Sequence, residues 1–294
     1  MINEKVGKIG KNFIDVDSVF KAKSPSWYKI LPKIFFTLLK KIVHQKELNE
    51  ALYKNRDYIG IDFVVEILKH FNIKIEIKGE KKILEDKRYS IISNHPLGGL
   101  DGLALINTIS KDKYKIAVPA NDILMTIPNL IPIFIPINKH GSNVDNIKAI
   151  NKSFASDVMI LFFPAGLVSR KKKGIIKDLE WKKTFLSKSK YYDRDIVPIH
   201  INGRNTNFFY NIAKLRGFLK IKANLEMFFL VDEMFRQKNQ TIIITFGKPV
   251  SNKYFDKRNT DLKWANLLRD YVYDLEKENT LSFEQWYENK TLKN

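Results

Sequence analysis

The sequence contains no cysteine. That removes disulfides, thiolate nucleophiles, zinc sites with cysteine ligands and cysteine-held iron–sulfur clusters, and it fits a reducing interior. Long apolar runs are missing as well. No stretch reaches the roughly 18 uninterrupted apolar residues that cross a bilayer, and the nearest, Ile123 to Ile137, is interrupted by Pro128, Pro132 and Pro136. The leading MINEKVGKIGKNF has neither an apolar core nor a small-residue cleavage site, so the expected location is cytoplasmic rather than secreted. A G-x-S-x-G nucleophile elbow and a G-x-x-x-x-G-K-S/T phosphate loop are both absent, which argues against a serine hydrolase and a P-loop protein. No internal repeat or low-complexity linker marks a boundary.

Acidic residues are also in short supply, 32 Asp+Glu against 51 Lys+Arg, for a net charge of +19 over 294 residues. A surplus of that size draws a protein toward an anionic partner, whether nucleic acid, a phospholipid surface or an acidic carrier protein. Part of it accompanies a general abundance of lysine, isoleucine and asparagine. Nucleic acid is set aside, because charge alone does not read a sequence. No zinc module, aromatic RNA-binding block or helix-turn-helix accompanies it. Hydrophobic residues make up 44% of the chain, enough for a full globular core.

Residues 1–71 read as helical. Trp27, Ile30, Leu31, Ile34, Phe35, Leu38, Leu39 and Ile42 recur at steps of three and four, with Lys29, Lys33, Lys40 and Lys41 between them. This is either a helix packed on the core or an interfacial helix under a lysine rim. A second helix is predicted over Tyr58 to Phe71. From Ile73 onward, strands alternate with helices. Strands are predicted at Ile73–Ile77, Tyr89–Ile92, Lys115–Pro119, Ile131–Ile135, Val158–Phe163, Ile196–Ile201 and Thr241–Phe246. Helices are predicted at Gly102–Ser110, Val144–Ser153, Lys177–Ser187 and Lys263–Lys277. The expected architecture is α/β: a mostly parallel sheet flanked by helices over residues 72–277, preceded by an N-terminal helical pair. Residues 278–294, polar apart from Phe283 and Trp286, are expected to form a loosely held tail.

In such sheets chemistry gathers where strands end and helices begin. The segment Ile91-Ile-Ser-Asn-His-Pro-Leu-Gly-Gly-Leu-Asp-Gly-Leu-Ala-Leu105 has that form: an apolar strand, a glycine-rich polar loop, then an apolar helix. His95 and Asp101 flank the Gly98–Gly99 turn. A carboxylate accepting one ring N–H fixes the tautomer and raises the basicity of the other nitrogen, as deprotonation of an acceptor hydroxyl requires. Equally, Asp101 is placed to cap the following helix, with His95 a turn residue.

Ser93-Asn94-His95 through Asp101 resembles the NHxxxxD signature of the lysophospholipid and glycerolipid acyltransferases. Ile131-Pro-Ile-Phe-Ile-Pro-Ile137 resembles that family's second block, Leu161-Phe-Phe-Pro-Ala-Gly-Leu-Val-Ser169 its FPEGTRS block, and Ile196-Val-Pro-Ile-His200 its later strand. The departures are specific. Five residues rather than four separate His95 from Asp101; the glutamate position is Ala165 and its neighbouring arginine position Val168; the second-block arginine position is Ile137, with Asn138 and Lys139 just beyond. Because those positions are associated in the family with a phosphate-bearing acceptor, the resemblance points toward a different head group. A lyso-aminolipid would suit, as in the hemolysin-like branch with its HPxGG- and FPAG-type blocks; alternatively Arg170 and Lys171–Lys173 supply the charge from one position later.

The resemblance implies transfer of a fatty acyl chain from acyl-coenzyme A or an acyl carrier protein to a lyso-lipid hydroxyl. His95 would be the general base with Asp101. Asn94, Gly98, Gly99, Asn138 and Lys139 would line the substrate, as would Phe163, Pro164, Gly166, Ser169 and Arg170. No metal or resident cofactor is implied, and the enzyme would sit peripherally on the inner face of the cell membrane, held by anionic lipid. The alternative is a relative that binds lipid without turnover. Ser169 is placed either to cap a helix or to bond the acceptor. His140 follows the second block, and His200 is expected at the end of an edge strand.

Overall fold

The computed structural model describes residues 13–23, 25–79, 88–110, 115–121, 124–137, 143–219, 225–277 and 281–292. Its contacts divide into two compact units. One comprises Met1–Ile73, Ile123–Pro132 and Asn205–Asn239, the other Lys74–Asp122, Ile133–Arg204 and Gln240–Asn294. The N-terminal segment expected at residues 1–71 therefore gathers two later stretches of chain.

The first unit is helical: α1 Val16–Lys23, α2 Pro25–Ile30, α3 Lys33–Ile42, α4 Gln45–Lys54 and α5 Ile61–His70. The single helix expected over Trp27–Val43 is broken because Pro32 has no N–H to give and pushes Leu31 out of the helical region; Pro32 instead caps α3 in an extended conformation. Helix α3 buries Phe36 and Leu39 in a cluster with Val16 and Val43, against which Phe228 and Val231 pack. That packing, with the His44–Asp232 contact of 2.9 Å and the bond from Asn239 N–H to Phe71 O, explains why 205–239 joins this unit. Trp27 (61% exposed), Ile30 (73%), Ile34 and Leu38 remain in solvent.

The second unit holds a seven-stranded sheet of β1 Lys74–Lys78, β2 Tyr89–Ser93, β3 Ile116–Ala120, β4 Phe134–Pro136, β5 Met159–Phe162, β8 Asp195–Ile201 and β9 Thr241–Phe246, with β6 Arg170–Lys172 and β7 Ile175–Lys177 forming a separate antiparallel hairpin. The order is β1-β9-β8-β2-β5-β3-β4. Every neighbouring pair is parallel except β8 and β9, so the sheet is mostly parallel, as the sequence leads one to expect. Strands β2 and β5 are buried along their whole length, the pattern of strands covered on both faces.

Helices α6 Gly99–Ser110, α7 Asn143–Ala155, α8 Thr184–Tyr191, α11 Asp261–Asp274 and α12 Phe283–Thr291 belong to this unit, while α9 Asn207–Phe218 and α10 Phe229–Arg236 belong to the first. Three expectations differ from what is found. The strand placed at Ile131–Ile135 runs instead over Phe134–Pro136, because Pro128–Ile133 wind into a 3-10 helix. The helix placed at Lys177–Ser187 begins only at Thr184, because residues before it are pinned to other chain segments: Trp181 N–H bonds the Asn266 side chain and Lys182 N–H bonds Pro164 O. The tail expected to hang loose instead forms α12, started by a capping box between Ser282 and Gln285. Phe283 and Trp286 enter the core beside Trp264, Leu268 and Tyr271.

Arg194 is fully buried beneath this core. Its guanidinium donates to the carbonyls of Phe154 (2.8 Å), Val158 (2.8 Å), Tyr89 (3.3 Å), Ser153 (3.4 Å) and Ser156, tying the end of α7 to the starts of β2 and β5. Burial pulls it down to about 10, still a cation at neutral pH. Arg194→Met leaves those carbonyls unpaired, and the expected loss in urea unfolding is about 3–5 kcal/mol. A loss under about 1 kcal/mol would mean that water takes over the carbonyls.

Candidate active site

Strand β2 delivers Ser93 and Asn94 to the sheet's carboxyl end, and the chain then turns through Pro96–Gly98 into α6. Gly98 makes the turn possible with φ of 84°, a region that only glycine enters without strain. The loop is also pressed against the end of β8: a Cβ at Gly203 would come within 2.8 Å of the Leu97 side chain.

This turn brings His95 Nδ1 to 2.9 Å from Asp101 Oδ2. The same oxygen accepts the backbone N–H groups of Leu97 (2.9 Å) and Gly98 (3.0 Å). The two readings of Asp101 left open by the sequence are therefore compatible, since one carboxylate oxygen both holds the turn and receives the imidazole. Burial pushes the Asp101 carboxyl up from its ordinary range, against the pull of His95 and the two amides. The extra residue in the His–Asp spacing is absorbed by the turn. The Asp101 side chain is fully covered, whereas 19% of the His95 side chain is exposed. The tautomer in which Nδ1 donates to the carboxylate leaves the lone pair on Nε2, and the ring is the more exposed member of the pair.

The Leu161–Ser169 block meets the histidine directly. Phe163 lies over the His95 ring, with centroids 4.3 Å apart and planes 25° from parallel. Ser169 N–H donates to His95 O (2.8 Å). Behind the loop, Asp178 Oδ1 accepts from His95 N–H (3.2 Å), Ser169 Oγ (2.6 Å) and Tyr273 Oη (3.2 Å), and Asp178 Oδ2 accepts from Trp181 Nε1 (2.9 Å).

Several residues expected to meet substrate are engaged with the protein itself. Asn94 is buried and pairs both ways with the end of β8, donating to Ile201 O (2.9 Å) and accepting from Ile201 N–H (2.7 Å). Gly98 gives its amide to Asp101, and Gly166 gives its amide to Phe163 O. Ser169 is fully buried on Asp178, and Pro164 O receives Lys182 N–H. Gly99 and Gly166 face solvent, and Phe163 and Arg170 are partly exposed. Arg170 donates to Val168 O at 2.6 Å. Asn138, Lys139 and His140 lie outside the described residues.

Ala165 and Val168, where the resembled motif carries charge, are both buried. His200 is not at a sheet edge, because β8 lies between β9 and β2. It is buried there, pushed down to about 4 by loss of solvent, with its ring edge-on to Tyr273. The sequence reading missed Asp178, Trp181 and Tyr273. The first two sat inside a stretch read as helix, and Tyr273 is 95 positions from Asp178 along the chain.

The model of a family described as "Acyltransferase" matches residues 18–283. The chain is 43% identical over 264 residues to the lyso-glycine lipid O-acyltransferase of Bacteroides thetaiotaomicron, covering 89% of this chain and 97% of that one. It is 44% identical over 264 residues to the protein of that name from Phocaeicola vulgatus, covering 89% and 95%. Among solved structures, the 1-acyl-sn-glycerophosphate (LPA) acyltransferase of Thermotoga maritima is similar with a TM-score of 0.47 at 15% identity, covering 83% of this chain and 97% of that one.

Proposed function

The chain belongs to the acyltransferase family, and from that premise we propose that it esterifies a hydroxyl of a lyso-aminolipid, with His95 as general base and Asp101 as its partner. The observation that carries the reading is the 2.9 Å contact between His95 Nδ1 and a sealed Asp101 carboxylate, with the imidazole itself reachable. Nε2 takes the proton of the acceptor hydroxyl, and the oxygen attacks the carbonyl carbon of an acyl thioester. The tetrahedral oxyanion then collapses, the C–S bond breaks, and the leaving thiolate recovers the proton from Nε2. This sequence needs no covalent enzyme intermediate, so a chain without cysteine can run it, and it calls on no resident cofactor.

Oxyanion stabilisation needs a preorganised donor. The amides of Gly98 and Gly166 are already bonded within the protein, which moves this role to Gly99. It opens α6, where amides have no intrahelical acceptor and the helix dipole favours negative charge.

The acceptor head group follows from the replaced charges and from the relatives. With buried Ala165 and Val168 in place of charged residues, the side chains that would read a glycerol phosphate are missing from those positions, and both curated relatives are named for a lyso-glycine lipid. An N-acylated glycine whose acyl chain bears the free hydroxyl is therefore the acceptor of choice. The deciding assay offers purified protein acyl-coenzyme A or acyl-carrier protein, with lyso-glycine lipid or lysophosphatidic acid as acceptor. Ester formed on the glycine lipid, and much less on the phosphate lipid, is the expected result. Preference for lysophosphatidic acid would overturn the head-group reading, and product from neither would move the protein to a lipid-binding relative without turnover.

Such an acceptor resides in a membrane, and the first unit is suited to one. No helix among the described residues is long and apolar enough to cross a bilayer. Trp27, Ile30, Ile34 and Leu38 stand exposed on α2 and α3 among exposed Lys29, Lys33 and Lys41. Leu215, Phe218 (82% exposed) and Leu219 are bare at the end of α9. Apolar side chains beneath a cationic rim are the pattern of an interfacial anchor. Binding to vesicles containing anionic phospholipid should weaken as salt rises from about 0.05 to 0.5 M, over which the Debye length falls about threefold. Salt-independent binding would assign the association to apolar insertion alone.

A further inference from the structure

The network behind His95 contains an ionisable group that the chemistry above leaves without a task. Asp178 is 5% exposed, yet its carboxylate is fully engaged, taking donors from four other residues. Its own N–H donates to Tyr273 Oη at 2.8 Å. We propose that Asp178 is a positioning residue for the reaction: its carboxylate clamps the main chain at His95 and so fixes how the imidazole meets Asp101 and the acceptor. This inference rests on the reading of His95 as the base.

The pattern of contacts favours positioning over bulk stability. Two of the bonds in the network fall on His95 itself, one on each side. Its N–H goes to Asp178 Oδ1 (3.2 Å), and its carbonyl accepts Ser169 N–H (2.8 Å). Ser169 closes the circuit by donating its hydroxyl to the same Asp178 oxygen (2.6 Å). The β2–α6 loop that carries the base and the loop that carries Phe163 are thus joined through one carboxylate. Trp181 Nε1 and Tyr273 on α11 anchor that carboxylate from the core side. Burial, with the Asp178 charge next in weight, drives the Tyr273 hydroxyl well above its ordinary range, so it stays protonated and able to donate. The Ser169 and Trp181 bonds, at 2.6 and 2.9 Å, have the short length of charge-assisted ones, and they fix the carboxylate against which the His95 N–H rests at 3.2 Å; misplacing a catalytic group by about 1 Å costs on the order of 100-fold in rate.

The test combines kinetics with a readout that does not depend on turnover. Asp178→Asn keeps the shape but cannot accept on both sides, because one carboxylate oxygen becomes an NH2 facing a donor. The expected result is a kcat lower by about 10–100-fold with KM changed by less than about 3-fold. In a His95→Ala background the same substitution should change the residual rate by less than about 2-fold, since its effect passes through His95. The Nδ1 proton resonance of 15N-labelled His95, assigned by its loss in His95→Ala, should shift or broaden in Asp178→Asn. Equal losses in both backgrounds, or an unmoved resonance, would reduce Asp178 to a fold-supporting residue. Should Asp178→Asn fail to fold, Tyr273→Phe removes one donor and keeps the ring, with the same two readouts expected at smaller size. Wild-type turnover in His95→Ala would overturn the base assignment, while the resonance would still decide whether Asp178 orients the ring.

Discussion

His95→Ala is expected to lower kcat for acyl transfer by about 10²–10⁴-fold, the usual worth of a positioned general base, with the fold intact. The second half of that statement follows from where the side chain sits. His95 is held by its main chain, through Asp178 and Ser169, while its ring is partly exposed and stacked on Phe163. Removing the ring takes away one stacking contact and one of three donors on Asp101 Oδ2, and leaves the Leu97 and Gly98 amides on that oxygen. Thermal unfolding should therefore move by only a few degrees while turnover collapses. The check is kcat for the preferred donor and acceptor beside a melting curve from the same preparation. A variant within about 5-fold of wild-type turnover would remove His95 from the chemistry and leave the dyad a structural motif.

How much of this was legible beforehand depends on how far apart the partners lie in the chain. The sheet could be read because β5 is apolar throughout and β2 and β8 carry apolar runs at Ile91–Ile92 and Ile196–Ile199, as strands covered on both faces tend to. The closeness of His95 and Asp101 could be read because the chain that joins them is local, a strand end, two glycines and the first turn of a helix, although the bonds that clamp the His95 main chain are not. Pro32 broke α3 from α2 by a rule visible in the sequence, yet the regular three-and-four spacing concealed it. The same happened at α12, where Ser282 and Gln285 spell a capping box and Phe283 and Trp286 share a face; the polar residues between hid an amphipathic helix. Asp178 was illegible for a different reason. Its partners come from residues 95, 169, 181 and 273, and only the finished fold assembles them. The joining of 205–239 to the N-terminal helices likewise rests on long-range packing around Phe36 and Leu39, which no local pattern announces.

The largest effect from a change that preserves volume is expected at Asp101. Asp101→Asn must place either its carbonyl or its NH2 where Oδ2 now accepts three N–H donors. If the carbonyl takes that place, the NH2 falls where Oδ1 lies buried without a hydrogen-bond partner among the described residues, and an unpaired buried donor costs about 1–3 kcal/mol. If the NH2 faces the ring instead, His95 can keep the contact only by accepting at Nδ1, which puts its proton on Nε2 and removes the lone pair needed for the acceptor hydroxyl. Either way the base loses the carboxylate that would stabilise the imidazolium as the proton arrives. In serine proteases, replacing the equivalent aspartate by asparagine lowers turnover by about 10⁴-fold through the wrong tautomer, and a loss of about 10³–10⁴-fold is expected here. It should appear in kcat, with vesicle binding unchanged, because the exposed apolar residues of the first unit are untouched. The double variant with His95→Ala should be no slower than the slower single, since the two residues act as one unit. Losses that multiply would mean that Asp101 supports the reaction through the Leu97–Gly98 turn rather than through the histidine.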